Sequence, residues 1–135
     1  MANVTAQLSR QPGRYLLSAR DQNLVADASP ARGGSGQGWS AQELLLAALL
    51  TCAQAVIEDE ARQDNLDLRD LRLQADSQID ENRPGHYEWI RLELHFTGLT
   101  QSQAESLAGR FTTVCPIYGS LSRGAPLSVV VTATA

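Results

Sequence analysis

With 135 residues and a formal net charge of −4, the chain has the length of one domain and no basic footprint for nucleic acid or an anionic membrane surface. It holds two cysteines, and its first residues show no positive segment followed by an apolar core, so it reads as cytosolic, where a thiol pair is more often reactive or buried than permanently cross-linked. Zinc would need more ligands than Cys52, Cys115, His86 and His95 offer at their spacing, so neither metal nor cofactor is expected.

Residues 1–28 carry three short apolar-rich runs, 4–9, 14–19 and 23–27, separated by Gln11-Pro12-Gly13 and Arg20-Asp21-Gln22; they predict a small antiparallel meander. Residues 29–39 follow, with glycine at 33, 34, 36 and 38. The spacing matches neither the dinucleotide nor the phosphate-loop pattern, and the segment reads as a flexible connector. Ser40 with Glu43 three residues on predicts a capping box that opens a long helix.

From Leu44 to Ile57 that helix is apolar on nearly every side, which predicts burial all round. Interrupted by Thr51, Cys52 and Gln54, the stretch is too short and too polar to span a membrane, and Asn65 supplies a left-handed stop. A domain this small cannot enclose such a rod alone. A second copy of the chain is therefore expected to wrap around it, making a homodimer part of the fold.

After the helix the period changes to two. Leu71, Leu73, Ala75, Ser77 and Ile79 form one alternating set and Ile90, Leu92, Leu94 and Phe96 another, predicting two long half-buried strands joined by a turn at 81–86. Thr100 with Gln103 predicts a second capped helix carrying Ala104, Leu107, Ala108 and Phe111 at helical spacing. A short third helix is expected to start at Cys115-Pro116 and end near Gly124, before a last strand at 127–132. The expected class is α+β: a single domain of antiparallel sheets with a long buried central helix.

Each cysteine sits where a thiol can be buried and aimed, Cys52 inside the apolar helix and Cys115 in Val-Cys-Pro-Ile. Two-thiol redox chemistry is the first functional reading. The residues alone favour Cys115 as the reactive thiolate, because a helix start with Pro116 in its first turn stabilises one whereas apolar surroundings at Cys52 do not.

Gly33-Gly34 ahead of a capped helix reading Gln-Glu-Leu-Leu-Leu-Ala-Ala-Leu-Leu-Thr-Cys, then two long strands, then Val-Cys-Pro-Ile-Tyr before a final strand, resembles the OsmC/Ohr family over essentially the whole chain. The resemblance implies an intertwined homodimer with its site at the subunit interface. It also implies reduction of organic hydroperoxides, Cys52 attacking a small apolar substrate, Cys115 resolving, and an external dithiol closing the cycle. In the peroxidase members an arginine of the N-terminal hairpin, held by a glutamate just before the long helix, activates the attacking thiol. Here the nearest arginine is Arg10, with Arg14 and Arg32 behind it. The glutamate position holds Gln42, beside Glu43. This pattern is closer to the OsmC-like branch than to the Ohr enzymes. Glu43 reads more simply as a cap, Arg10 as a solvated turn residue, and Trp39 and Tyr118 as packing or pocket residues. The rival function is a non-enzymatic dimer that binds a small apolar ligand in its interface cavity. A general thiol oxidoreductase is disfavoured by the missing Cys-x-x-Cys spacing.

Overall fold

Short alternating runs make the N-terminal part a three-stranded antiparallel meander in the computed structural model, which describes residues 1–135 and divides into two units, Met1–Leu45 and Leu46–Ala135. Strands β1 (Thr5–Leu8), β2 (Arg14–Ala19) and β3 (Gln22–Asp27) pair in that order, with Arg14 directly opposite Asp27. Little of this unit is enclosed: Ala26 and Asp27 are its buried residues, while Leu8, Leu16, Leu24 and Val25 are exposed.

The glycine-rich segment is not the flexible connector its composition suggests. Asp27, with a side chain only 1% exposed, accepts from Arg14 Nε at 2.8 Å and Nη2 at 3.0 Å, from Ser35 Oγ at 2.6 Å, and from the backbone N–H groups of Gln37 at 3.2 Å and Gly38 at 2.7 Å. One carboxylate thus ties a strand, its neighbour and the loop that feeds the long helix. Two of the glycines, Gly34 and Gly38, let the segment pack this closely. A Cβ on Gly34 would stand 1.5 Å from the carbonyl oxygen of Ala28, a clash that no side chain survives. The segment also contains one 3₁₀ turn, Pro30–Arg32.

The Arg14 guanidinium, then Ser35 and Gly38, hold the Asp27 carboxyl well below its ordinary value, while burial opposes them. A group depressed in the folded state contributes stability that is complete above its unfolded value, near pH 4, and is lost as pH falls toward the folded value. Asp27→Asn is therefore expected to lower the urea midpoint at pH 7 and to flatten the acid limb of the stability profile below pH 4. An unchanged acid limb would assign that limb to another carboxylate.

In the second unit the period-two pattern produces β4 (Asp70–Ile79) antiparallel to β5 (Tyr87–Thr97), and β6 (Leu127–Thr134) lies on the other side of β5. The β5–β6 pairing is parallel, so this sheet is mixed and not antiparallel throughout. The cause is the helical crossover between them, which returns the chain to the same end of the sheet. A register shift at Gln78/Ile79 takes Ile79 out of its expected alternation and leaves it 52% exposed. The crossover consists of α2 (Gln101–Val114), opened by the Thr100–Gln103 capping box, and α3 (Pro116–Leu121), which ends short of Gly124.

Helix α1 (Ala41–Gln63) begins in the first unit and continues through the second. Its start is the reciprocal Ser40–Glu43 box: Glu43 N–H donates to Ser40 Oγ at 3.1 Å and Ser40 N–H donates to the Glu43 carboxylate at 3.0 Å. Asn65, at φ 53°, stops it as expected, with Leu66 N–H donating back to the Ala61 carbonyl. Over its full 23 residues, beyond the apolar stretch 44–57, the helix is long and apolar enough to cross a membrane by length and composition alone. What marks it as a core helix is packing. Leu49, Ala53, Ile57 and Ala61, one stripe at i, i+4 spacing, join Ile90, Leu92, Leu94 and Phe96 of the sheet and Ala104, Leu107, Ala108 and Phe111 of α2 in one core. Within the chain only that stripe is buried, and Leu46, Leu50 and Val56 are half-buried, so one copy alone does not enclose the helix.

Candidate functional site

Pro116 builds the C-terminal half of the site. A residue before proline is pushed out of the helical region, and Cys115 accordingly sits at φ −74°, ψ 115° between α2 and α3. Its own N–H still closes α2 on the Phe111 carbonyl at 3.0 Å, while its Sγ accepts the N–H of Tyr118 at 3.3 Å. The sulfur thus occupies an N-cap, where an amide N–H favours the thiolate over the thiol. Cys115 is 2% exposed, and Tyr118 stands edge-on to Phe111 with ring centroids 5.4 Å apart, so Tyr118 is a packing residue of this corner.

Cys52 comes from the opposite side, on the half-buried flank of α1. The core that joins α1 to α2 brings the two sulfurs, 63 residues apart in sequence, into a disulfide with a Cα–Cα separation of 6.4 Å, inside the usual range for such a bond. The chain has no other cysteine. Of the predicted site residues these two converge.

The others do not join them within the second unit. Arg10 lies in an exposed bend of the first unit and has no ion-pair partner in the chain. Arg14 is committed to Asp27, which removes it as a spare cation, and Arg32 closes the 3₁₀ turn. Gln42 occupies the first turn of α1. The Glu43 carboxylate is engaged in the cap, and the Ser40 N–H holds it below the usual glutamate range. His95 lies on the polar face of β5, bonded to Thr132 Oγ1 at 2.8 Å, and His86 turns onto the Pro84 carbonyl. Trp39 is 46% exposed and lies beside β3 as an isolated parallel bridge, its N–H donating to the Val25 carbonyl and its carbonyl accepting from the Asp27 N–H.

Sequence reasoning missed an ionic cluster that joins the same two helices as the thiol pair. Arg110 of α2 donates to Glu60 of α1 and to Asp64 in the turn just past its end, each at 2.6 Å. The signal was present: two carboxylates at i, i+4 on one helix repel unless a cation faces them, and Arg110 is the only charged residue between Glu105 and Cys115 on α2.

The model of the OsmC-like protein family matches residues 34–130. No curated protein matches the sequence. Among solved structures, a hypothetical protein of Aquifex aeolicus superposes with a TM-score of 0.85 at 15% identity, covering 99% of this chain and 96% of its own. The organic hydroperoxide resistance protein OsmC of Legionella pneumophila gives 0.74 at 20% identity, covering 98% and 96%. The organic hydroperoxide resistance protein OhrB of Bacillus subtilis gives 0.71 at 19%, covering 98% of each chain. These likenesses bear on the fold.

Proposed function

We propose that this chain, which belongs to the OsmC-like protein family, reduces organic hydroperoxides with Cys52 as the attacking thiol and Cys115 as the resolving one. The observation that carries the reading is the disulfide between the only two cysteines, which join α1 to the α2–α3 corner across 63 residues. In the proposed cycle the Cys52 thiolate attacks the peroxide O–O bond. The distal oxygen stays on sulfur as a sulfenic acid and the alkoxide leaves as the alcohol after taking a proton. The Cys115 thiol then displaces that oxygen as water, giving the disulfide. An external dithiol of the reducing cytosol restores both thiols by exchange.

Apolar neighbours of Cys52 favour a small apolar hydroperoxide over hydrogen peroxide. The working unit is a homodimer: a chain that leaves Leu8, Leu16, Leu24 and Val25 of its meander exposed and most of α1 incompletely covered has apolar surface to bury. Arg10 is the guanidinium proposed for Cys52, since Arg14 is held by Asp27. A second reading, binding of a small apolar ligand, is favoured by an apolar hollow of about 340 Å³ lined by Val4, Leu17, Ala19, Leu24 and Leu44.

The test is to treat reduced protein with one equivalent of cumene hydroperoxide, and separately of hydrogen peroxide, following thiol loss and peptide linkage by mass spectrometry. Rapid Cys52–Cys115 disulfide formation, faster with the organic peroxide and reversed by a dithiol, is expected. Light scattering on the same sample should give twice the 14.6 kDa chain mass. Oxidation no faster than in unfolded protein would sink the peroxidase reading and leave ligand binding.

A further inference from the structure

We infer that Arg110 is a positioning residue for the thiol pair: by bridging Glu60 and Asp64 it holds α2 against α1 so that Cys115 stays within reach of Cys52 when the disulfide is open. The inference rests on the reading of the two cysteines as a working pair. Glu60 lies eight residues beyond Cys52 on α1, about 12 Å along the axis, and Arg110 lies five residues before Cys115, about 7.5 Å. Besides the apolar core they share, the two helices are thus tied at two separate points, one covalent and one ionic. Reduction opens the first and leaves the core and the second, and of these only the ionic tie fixes a specific pair of side chains across the joint.

The ionic tie is suited to that task. One guanidinium spans two carboxylates with two short charge-assisted bonds, at 2.6 Å each, and all three side chains are partly shielded from water. Without Arg110, Glu60 and Asp64 would face each other one turn apart as like charges on the α1 surface that α2 approaches. Removing the cation therefore takes away an attraction and uncovers a repulsion at the same joint. Both act on how often the free thiols meet, which sets the equilibrium for closing the disulfide.

The readout is a thiol–disulfide titration. The two protein thiols are oxidised by glutathione disulfide, which takes up their two electrons and two protons as two glutathiones. For Arg110→Gln the equilibrium constant for disulfide closure is expected to fall roughly fivefold, a shift of about 20 mV toward a more easily reduced bond. Arg110→Lys should recover part of it, because an ammonium keeps the charge but lacks the planar, pre-organised fork with which a guanidinium bridges two carboxylates. On a Glu60→Gln/Asp64→Asn background, Arg110→Gln should change the constant by less than about twofold. Should Arg110→Gln fail to fold, the Arg110→Lys and carboxylate variants carry the same comparison.

A purely structural role predicts something different. The melting temperature would fall in both the oxidised and the reduced protein, the glutathione equilibrium would not move, and the inference would be overturned. An equal shift from Arg110→Gln with the carboxylates already removed would overturn it as well. Because the titration uses no peroxide, its outcome is separable from the proposed activity. A wild type that ignores cumene hydroperoxide defeats the peroxidase reading alone, and an unmoved potential in Arg110→Gln beside a peroxide-reactive wild type defeats this one alone.

Discussion

Replacing Cys52 with serine is expected to lower cumene hydroperoxide consumption by on the order of a hundredfold or more, whereas Cys115→Ser should still consume one equivalent and then stall. The two thiols are not equivalent. Cys115 has the better thiolate environment, with its Sγ on the Tyr118 N–H, but only 2% of it is exposed. Cys52 is half-buried on α1, which makes it the more accessible of the two sulfurs within the chain. In the proposed cycle that difference in access selects the sulfur that meets the peroxide, and the capped sulfur is then the partner for the sulfenic acid and the better leaving group when a dithiol attacks the disulfide. In Cys115→Ser the sulfenic acid has no partner and should be trapped on Cys52 by a dimedone label. If Cys52→Ser reacts at Cys115 as fast as the wild type does, the roles are reversed and the assignment falls. Both variants also lose the cross-link. For a 63-residue separation, the chain-entropy account gives about 4 kcal/mol at most, so activities belong at a temperature well below the melting point of the reduced protein.

Much of the fold was legible because its signals are local. The Ser40–Glu43 and Thr100–Gln103 boxes, the Asn65 stop and the alternation of Ile90, Leu92, Leu94 and Phe96 all appear in the structure where the residues put them. What failed depends on long-range geometry. Neither β4 nor β6 states which strand it joins or in which direction, so the parallel β5–β6 pairing follows only from where the crossover returns. The glycine-rich segment looked mobile because composition reports backbone freedom and not the carboxylate that collects it; Asp27 had no local mark of being a hub.

The site divides in the same way. Cys52 and Cys115 were singled out as a pair, and the Cys-Pro junction explains from sequence alone why one of them sits at a helix start. Their convergence needed the core of α1, α2 and β5. Arg14, a fallback cation on paper, is committed to Asp27 because the β2–β3 register sets the two side by side. Arg110 escaped notice since its partners lie about fifty residues away on another helix.

The largest stability effect outside the cysteines is expected at Phe111, where Phe111→Ala should cost about 3–5 kcal/mol. Phe111 is fully buried at the end of α2, packs with the stripe of α1 and the strands of the second sheet, and meets Tyr118 edge-on at 5.4 Å. Its carbonyl also accepts the Cys115 N–H. Truncation leaves a cavity that the rigid ends of α1 and β5 cannot collapse into, and it removes the ring against which the Cys115 corner is set. Phe111→Leu keeps most of the volume and should cost about 1–1.5 kcal/mol. Urea denaturation of the reduced proteins at one fixed concentration measures both, free of the disulfide and with mass action between copies held constant. The same pair reads the corner independently. Phe111→Ala should slow disulfide closure under glutathione even at temperatures where it remains folded, because the sulfur of Cys115 is no longer held toward α1. A loss below about 1.5 kcal/mol would show that the corner repacks around the gap. An unchanged closure rate would mean that α3, through the Tyr118 N–H on Sγ, aims Cys115 without help from the Phe111 ring.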